Sequence, residues 1–217
     1  MTPRSKAPTA EFTDPKRRRG GRPRRDGRTV VGDPTDEILR AAAALFGELG
    51  VAGTTMSRLA AEVGLGQSSL YYYFRNRDEI VAALVARANV VSLDLVDQVA
   101  ASDETPAGKL LRFVRGDVEA LCALPFDINE VHRIAARDRE RFAAYWQERA
   151  RLTRRLTAIV QAGIDGGELR AVDANLTALT IMANDEGVQN WYRLGTRRRP
   201  ADIGQALAEL TVGGLLA

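Results

Sequence analysis

The chain has 217 residues, 45% hydrophobic and 27% charged, with a formal net charge of +3, one cysteine (Cys122) and one histidine (His132). These values fit one large globular domain or a small domain beside a medium one, and they exclude an internal disulfide and a His/Cys metal cluster. No run of 18 apolar residues occurs, and the charged N-terminus lacks the apolar core of a secretory signal, so a cytoplasmic protein that neither crosses nor enters a membrane is expected.

The charge is unevenly placed. Residues 1–30 hold ten Lys/Arg against three Asp/Glu, a balance of +7, which leaves −4 on the rest. Residues 1–31 are rich in Pro, Gly and Arg and poor in large apolar side chains, so a disordered basic arm with a polyanionic partner is expected. At its centre "GRPR" (Gly21 to Arg24) resembles the core of an AT-hook. Proline holds the backbone extended, and Arg22 and Arg24 would lie along a narrow minor groove. A polybasic tail held by phosphates alone is the competing reading, and both imply salt-dependent DNA affinity.

Order is expected from residue 32. Thr35 can cap a first helix whose apolar stripe is Ile38, Ala42, Leu45 and Leu49, closed by Gly50. "TTMSRLAAEVG" is a second, short helix capped by Thr54 or Thr55, and "QSSLYYYF" a third, with Leu70 and Phe74 one turn apart. A link of about three residues containing Gly64 and Gly66 makes the pair a helix-turn-helix. Asn76 caps a fourth helix, with Asp78 and Glu79 at its positive end.

The second helix of such a motif presents its N-terminal residues to base edges. Here these are Gln67, Ser68 and Ser69, all able to donate and accept hydrogen bonds. Because successive residues on a helix point about 100° apart, Tyr71 and Tyr72 face away from Leu70 and Phe74 and toward the duplex, while Tyr73 packs. Thr55 and Arg77, each at a helix start, suit phosphate oxygens.

"TTMSRLAAEVGLGQSSLYYYFRNRDEI" (Thr54 to Ile80) resembles the DNA-binding signature of TetR-family transcriptional regulators, through Thr54, Thr55, Ala60, Gly64, Leu70, Tyr71, Tyr73, Phe74, Asn76 and Glu79. The resemblance implies an all-α fold: an N-terminal three-helix helix-turn-helix DNA-binding domain (32–80) and a C-terminal helical dimerisation and ligand domain (81–217). By position it makes Thr55, Tyr71 and Arg77 phosphate contacts, and Gln67, Ser68, Ser69 and Tyr72 groove-facing residues. Gly66 stands where a capping Ser is common, and Arg77 replaces the usual Lys.

The remainder reads as helices over about 80–100, 106–123, 128–136, 138–163, 175–194 and 202–216. A stripe of Leu176, Leu179, Thr180, Ala183, Gly187, Trp191 and Leu194, with Ile203, Ala206, Leu207, Leu210 and Gly214 on the last helix, fits the homodimer interface that the resemblance implies. Packing within one chain is the alternative. Phe113, Phe126, His132, Tyr145, Trp146, Arg149, Asn184 and Trp191 are candidates for lining an apolar effector pocket with a few polar groups, although the two tryptophans are also simply explained as core. No spacing assembles a catalytic site, a metal site or a cofactor motif, so an enzyme is not expected. The expectation is a ligand-responsive regulator that binds a palindrome in double-stranded DNA and is released by a small apolar or amphipathic effector; repression rather than activation follows from the resemblance alone. The alternative is an architectural protein that acts mainly through its arm.

Overall fold

The computed structural model describes residues 33–124, 126–193 and 197–217, and among them every regular element is helical. Arg22, Arg24 and Leu194 lie outside the described residues.

Helix α1 (Pro34–Gly53) is capped by Asp33, whose carboxylate accepts from the Thr35 amide at 2.9 Å, with Pro34 in the first turn. The expected cap was Thr35, two residues later. The helix bends at Gly50, which takes φ +72°, a conformation that a side chain would strain. Thr54 is buried below the bend, its hydroxyl donating to the Leu45 and Gly50 carbonyls at 3.3 and 3.1 Å. Helices α2 (Met56–Glu62) and α3 (Gln67–Tyr73) follow, capped by Thr55 and Gly66. The turn between them passes through Gly64 at φ +64°, which is why glycine is needed there. Leu59, Ala60, Leu70 and Phe74 close this unit against Ile38, Ala42, Leu45 and Phe46 of α1.

Helix α4 (Arg77–Ala88) begins with a reciprocal cap: the Asn76 side chain accepts from the Glu79 amide at 2.9 Å, and Glu79 accepts from the Arg75 amide at 2.8 Å. The single long helix expected over 80–100 is in fact two. Asn89 ends α4 and α5 (Val90–Ala100) starts anew, because the Asn89 side-chain amide turns inward and donates to the Tyr145 carbonyl at 3.1 Å and to Glu148 at 3.2 Å. A buried amide with partners on another helix fixes the break more firmly than helical propensity opposes it.

The body continues through α6 (Pro106–Ala123), α7 (Ile128–Arg137), α8 (Ala143–Asp165) and α9 (Ala174–Gly187), which ends in a 3₁₀ turn at Val188–Asn190 before α10 (Pro200–Gly213). Helix α6 is central and packs against α5, α8, α9 and α10. Gly204 of α10 lies so close to α6 that a Cβ there would meet the Arg115 carbonyl oxygen at 2.6 Å. At that point the last helix spends a small residue on packing within the chain, and Ile203 is buried on the same side. No helix among the described residues is long and apolar enough to cross a membrane.

Candidate DNA-reading surface and buried effector site

The expected reading residues share one exposed end of the molecule. Gln67, Ser68, Tyr71 and Tyr72 are exposed on α3 and Ser69 is half-buried. Tyr72 is 84% exposed, whereas Leu70 on the opposite side of the same short helix is fully enclosed. Tyr73 is half-buried and meets the Tyr72 ring edge-on with 5.3 Å between centroids. The Gln67 amide donates to the Ser57 hydroxyl of α2 at 2.5 Å, which orients it before any partner arrives; Ser57 had not been singled out in the sequence. Thr55 is exposed at the start of α2, and its hydroxyl accepts from the Arg58 amide at 3.2 Å.

Arg77 differs from expectation. One of its terminal nitrogens donates to the carbonyls of Val51, Ala52 and Thr54 at 2.7, 3.1 and 3.3 Å. The guanidinium thus caps the end of α1 through one nitrogen and ties α4 to it, a framework role beyond the phosphate contact expected of it. The exposed cations beside the reading helix are Arg58 and Arg75.

Four of the eight effector candidates, His132, Tyr145, Trp146 and Arg149, come together inside the body. His132 of α7 pairs through Nε2 with a Glu186 carboxylate oxygen at 3.0 Å, and its Nδ1 meets the Tyr145 hydroxyl of α8. Arg149, one turn further along α8, donates to the other oxygen of Glu186 on α9. Burial by itself would raise the Glu186 carboxyl, but the hydrogen bond from His132 and the Arg149 charge more than offset it and hold the acid below its ordinary range. The Tyr145 hydroxyl is pushed up by burial.

Next to this cluster lie two acids that the sequence reading missed. Asp117 of α6 and Asp185 of α9 each interrupt an apolar stripe: Phe113, Val114, Val118 and Leu121 on one helix, Ala178, Ile181 and Met182 on the other. That interruption is the signal that would have found them. Asp117 accepts from the Ser92 hydroxyl at 2.5 Å, yet desolvation pushes it up to about 6. Asp185 is fully enclosed, and neither of its carboxylate oxygens has a hydrogen-bond partner among the described residues. Desolvation first, then the neighbouring Asp117 and Glu186 charges, raise it well above the usual carboxylate range. An unsatisfied buried polar group costs on the order of 1–3 kcal/mol.

The remaining candidates, Trp146 apart, are placed elsewhere. Phe113 is enclosed in the core. Phe126 lines a cleft between α1, α4 and α7. Trp146 borders the cluster, stacked on His132 at 6.3 Å and edge-on to Tyr145 at 5.2 Å between centroids, and it donates to the Ala135 carbonyl at 3.2 Å and lies 4.1 Å beneath the Arg139 guanidinium. Asn184 and Trp191 do not reach the interior. Asn184 is exposed and donates to Thr211 of α10 at 3.2 Å, and Trp191, read as pocket or core, is 52% exposed. Both fall on the outer face of α9 and its 3₁₀ turn, because α9 turns Ala178, Ile181, Met182 and Asp185 inward. On that outer face Leu176 and Leu210 border a groove of about 600 Å³ between α9 and α10, and Leu179 is exposed as well. Among the described residues no group of three or more His, Cys, Asp or Glu side chains is disposed to hold a metal ion.

A helix-turn-helix at one end and an all-helical body with a buried polar cluster define a DNA-binding regulator. Residues 38–84 match the family model described as bacterial regulatory proteins, tetR family, and residues 103–215 match that of the tetracyclin repressor-like C-terminal domain. The chain belongs to the TetR family of transcriptional regulators. It is 26% identical over 193 residues to the HTH-type transcriptional repressor KstR2 of Mycobacterium tuberculosis (strain ATCC 25618 / H37Rv), covering 82% of this chain and 91% of that protein. The protein of the same name from Mycolicibacterium smegmatis is 22% identical over 185 residues, 83% of this chain and 89% of that protein. Among solved structures, the ketosteroid transcriptional regulator KstR2 of Mycobacterium tuberculosis superposes with a TM-score of 0.78 at 23% identity, covering 87% of this chain and 97% of that one. The TetR-family regulator PfmR of Thermus thermophilus gives 0.74 at 25% identity, over 83% and 99%.

Proposed function

We propose that the protein is a ligand-responsive repressor that binds a palindromic operator as a homodimer and leaves it when a small amphipathic molecule occupies the body. The observation that carries the reading is the His132–Glu186–Arg149 cluster, which joins α7, α8 and α9 around one buried carboxylate. Helix α7 packs directly against α4, the helix that follows the reading helix, and Arg77 at the head of α4 grips the end of α1. A molecule that re-partners Glu186, His132 or Arg149 would shift α7, and with it the reading end.

Repression is supported by the names of the relatives. Dimerisation is supported by the exposed apolar face of α9 and α10, where Leu210 is 75% and Leu176 62% exposed. Two copies joined there would present their reading helices to successive major grooves, about 34 Å apart. Gln67 and Ser68 would reach base edges, while Thr55, Tyr71 and Tyr72 would contact the backbone and groove wall. For the effector to act it must bind the two spacings of the dimer with different affinity.

Selection of genomic fragments by the full-length protein at physiological salt, read by sequencing, tests the reading. One or a few palindromes are the expected result. Broad recovery of A·T-rich DNA without a shared site would overturn it and leave the basic arm as the main DNA-binding element.

A further inference from the structure

The known partners in the polar cluster leave one group over. Glu186 has His132 and Arg149, and Asp117 has Ser92, but Asp185 has neither oxygen bonded among the described residues although it is fully enclosed. The acids in the cluster also outnumber the bases. Asp117 from α6 and Asp185 and Glu186 from α9 face Arg149 from α8 and His132 from α7, with the neutral Tyr145 hydroxyl beside them. Arg149 is bonded to Glu186 and reaches Asp117 only through its charge, and no salt bridge among the described residues is made by either aspartate.

We propose that Asp185, with Asp117, is the head-group subsite of the effector site, and that the effector carries a cationic nitrogen, an ammonium or a close equivalent. The inference rests on the ligand-responsive reading above and narrows it to a ligand class. The chemistry is specific. An ammonium offers several N–H donors and a positive charge, and it satisfies two acceptor carboxylates at once. An alcohol offers one donor and no charge, and a carboxylate ligand offers the two aspartates no donor at all. The apolar residues on either side of each aspartate, Val114 and Val118 on α6 and Ile181 and Met182 on α9, would hold the apolar remainder of the molecule. Burial raises the Asp185 carboxyl well above its ordinary range and an adjacent ammonium would lower it again, so uptake of the cation is linked to proton release. Proton release on binding is therefore a signature that a surface ion exchange would not give.

The test uses full-length dimer and three probes of one shape: octylamine, octanol and octanoate. Titration calorimetry at pH 7 is run in two buffers of different ionisation enthalpy. Octylamine is expected to bind about 10-fold or more tighter than octanol, with octanoate weakest and with a proton released. Asp185→Asn is expected to remove that preference and the proton release while octanol binding persists. Its melting temperature, expected to be no lower than that of the parent, shows that the fold is kept. Equal binding of amine and alcohol, absence of binding by all three, or an amine preference that survives Asp185→Asn overturns the proposal. Fragment selection on the same preparation keeps the two readings apart: loss of site-specific DNA binding sinks the regulator, whereas loss of amine preference sinks only the ligand class.

Discussion

On α3, Tyr72 stands in solvent beside Gln67 and Ser68 and is held by one neighbouring ring, whereas on α9 Asp185 is walled in with nothing to bond among the described residues. The reading end keeps its functional groups outside a small apolar core, and the fold loses nothing by having them. The body keeps its groups inside, where each must be paired or must cost stability. The same residue types thus report differently. Substitution at the reading end should change DNA affinity with little effect on folding, while substitution in the body should change stability, in either direction, before it changes anything else.

The sharpest break of this contrast is Glu186→Gln. It removes the one carboxylate that Arg149 is bonded to, and removal of one partner from a buried pair costs about 3–5 kcal/mol. A large fall in denaturation midpoint at neutral pH is expected. Glu186 is held below its ordinary range in the fold, so its contribution is present above the unfolded value and fades as pH falls; the deficit of the variant should shrink in acid. An unchanged midpoint would show that the pair is not buried in solution.

Asp117→Asn should move stability the other way. The acid is raised from 3.8 to about 6 in the fold, chiefly by desolvation. Native stability relative to the unfolded chain is therefore highest below about pH 4 and declines as pH rises through about 6. An asparagine still accepts from Ser92 and does not titrate. Denaturation should show it more stable than the parent by roughly 2–3 kcal/mol at pH 8, with no difference below pH 4. A destabilised variant at pH 8 would contradict the cause assigned to the shift.

Arg77→Met tests the framework role of a residue also expected at the reading surface. Loss of its bonds to Val51, Ala52 and Thr54 should cost about 1–3 kcal/mol, seen by thermal melting without DNA. A normal melt combined with a large loss of DNA affinity would return Arg77 to the phosphate-contacting role. Tyr72→Ala is the mildest for the fold. Its midpoint should stay within about 0.5 kcal/mol of the parent, while operator affinity, read by fluorescence anisotropy, falls about 10-fold. A destabilised Tyr72→Ala would mean that the ring supports α3 rather than DNA.

The reading end was legible from the chain because its information is local. Caps at Thr55 and Asn76, the glycine turn at Gly64 and the Leu70–Phe74 spacing act within a few residues, and the structure shows each in the expected role. The boundaries of α6 were equally local, set by Thr105, Pro106 and the end of its stripe. Arg77 was not legible, because the carbonyls it caps lie 23 to 26 residues earlier in the chain. In the body, periodicity marked helices but not which residue meets which. His132, Tyr145 and Arg149 were picked by chemical type along with Asn184 and Trp191, and only the packing of α7, α8 and α9 separated the first three from the last two. The break at Asn89 and the enclosure of Asp117 and Asp185 were decided in the same way. Local pattern sufficed for an all-helical chain with a helix-turn-helix near its start. The tertiary structure decided which polar groups are buried, because burial is a property of the neighbours a folded helix acquires and not of its own period.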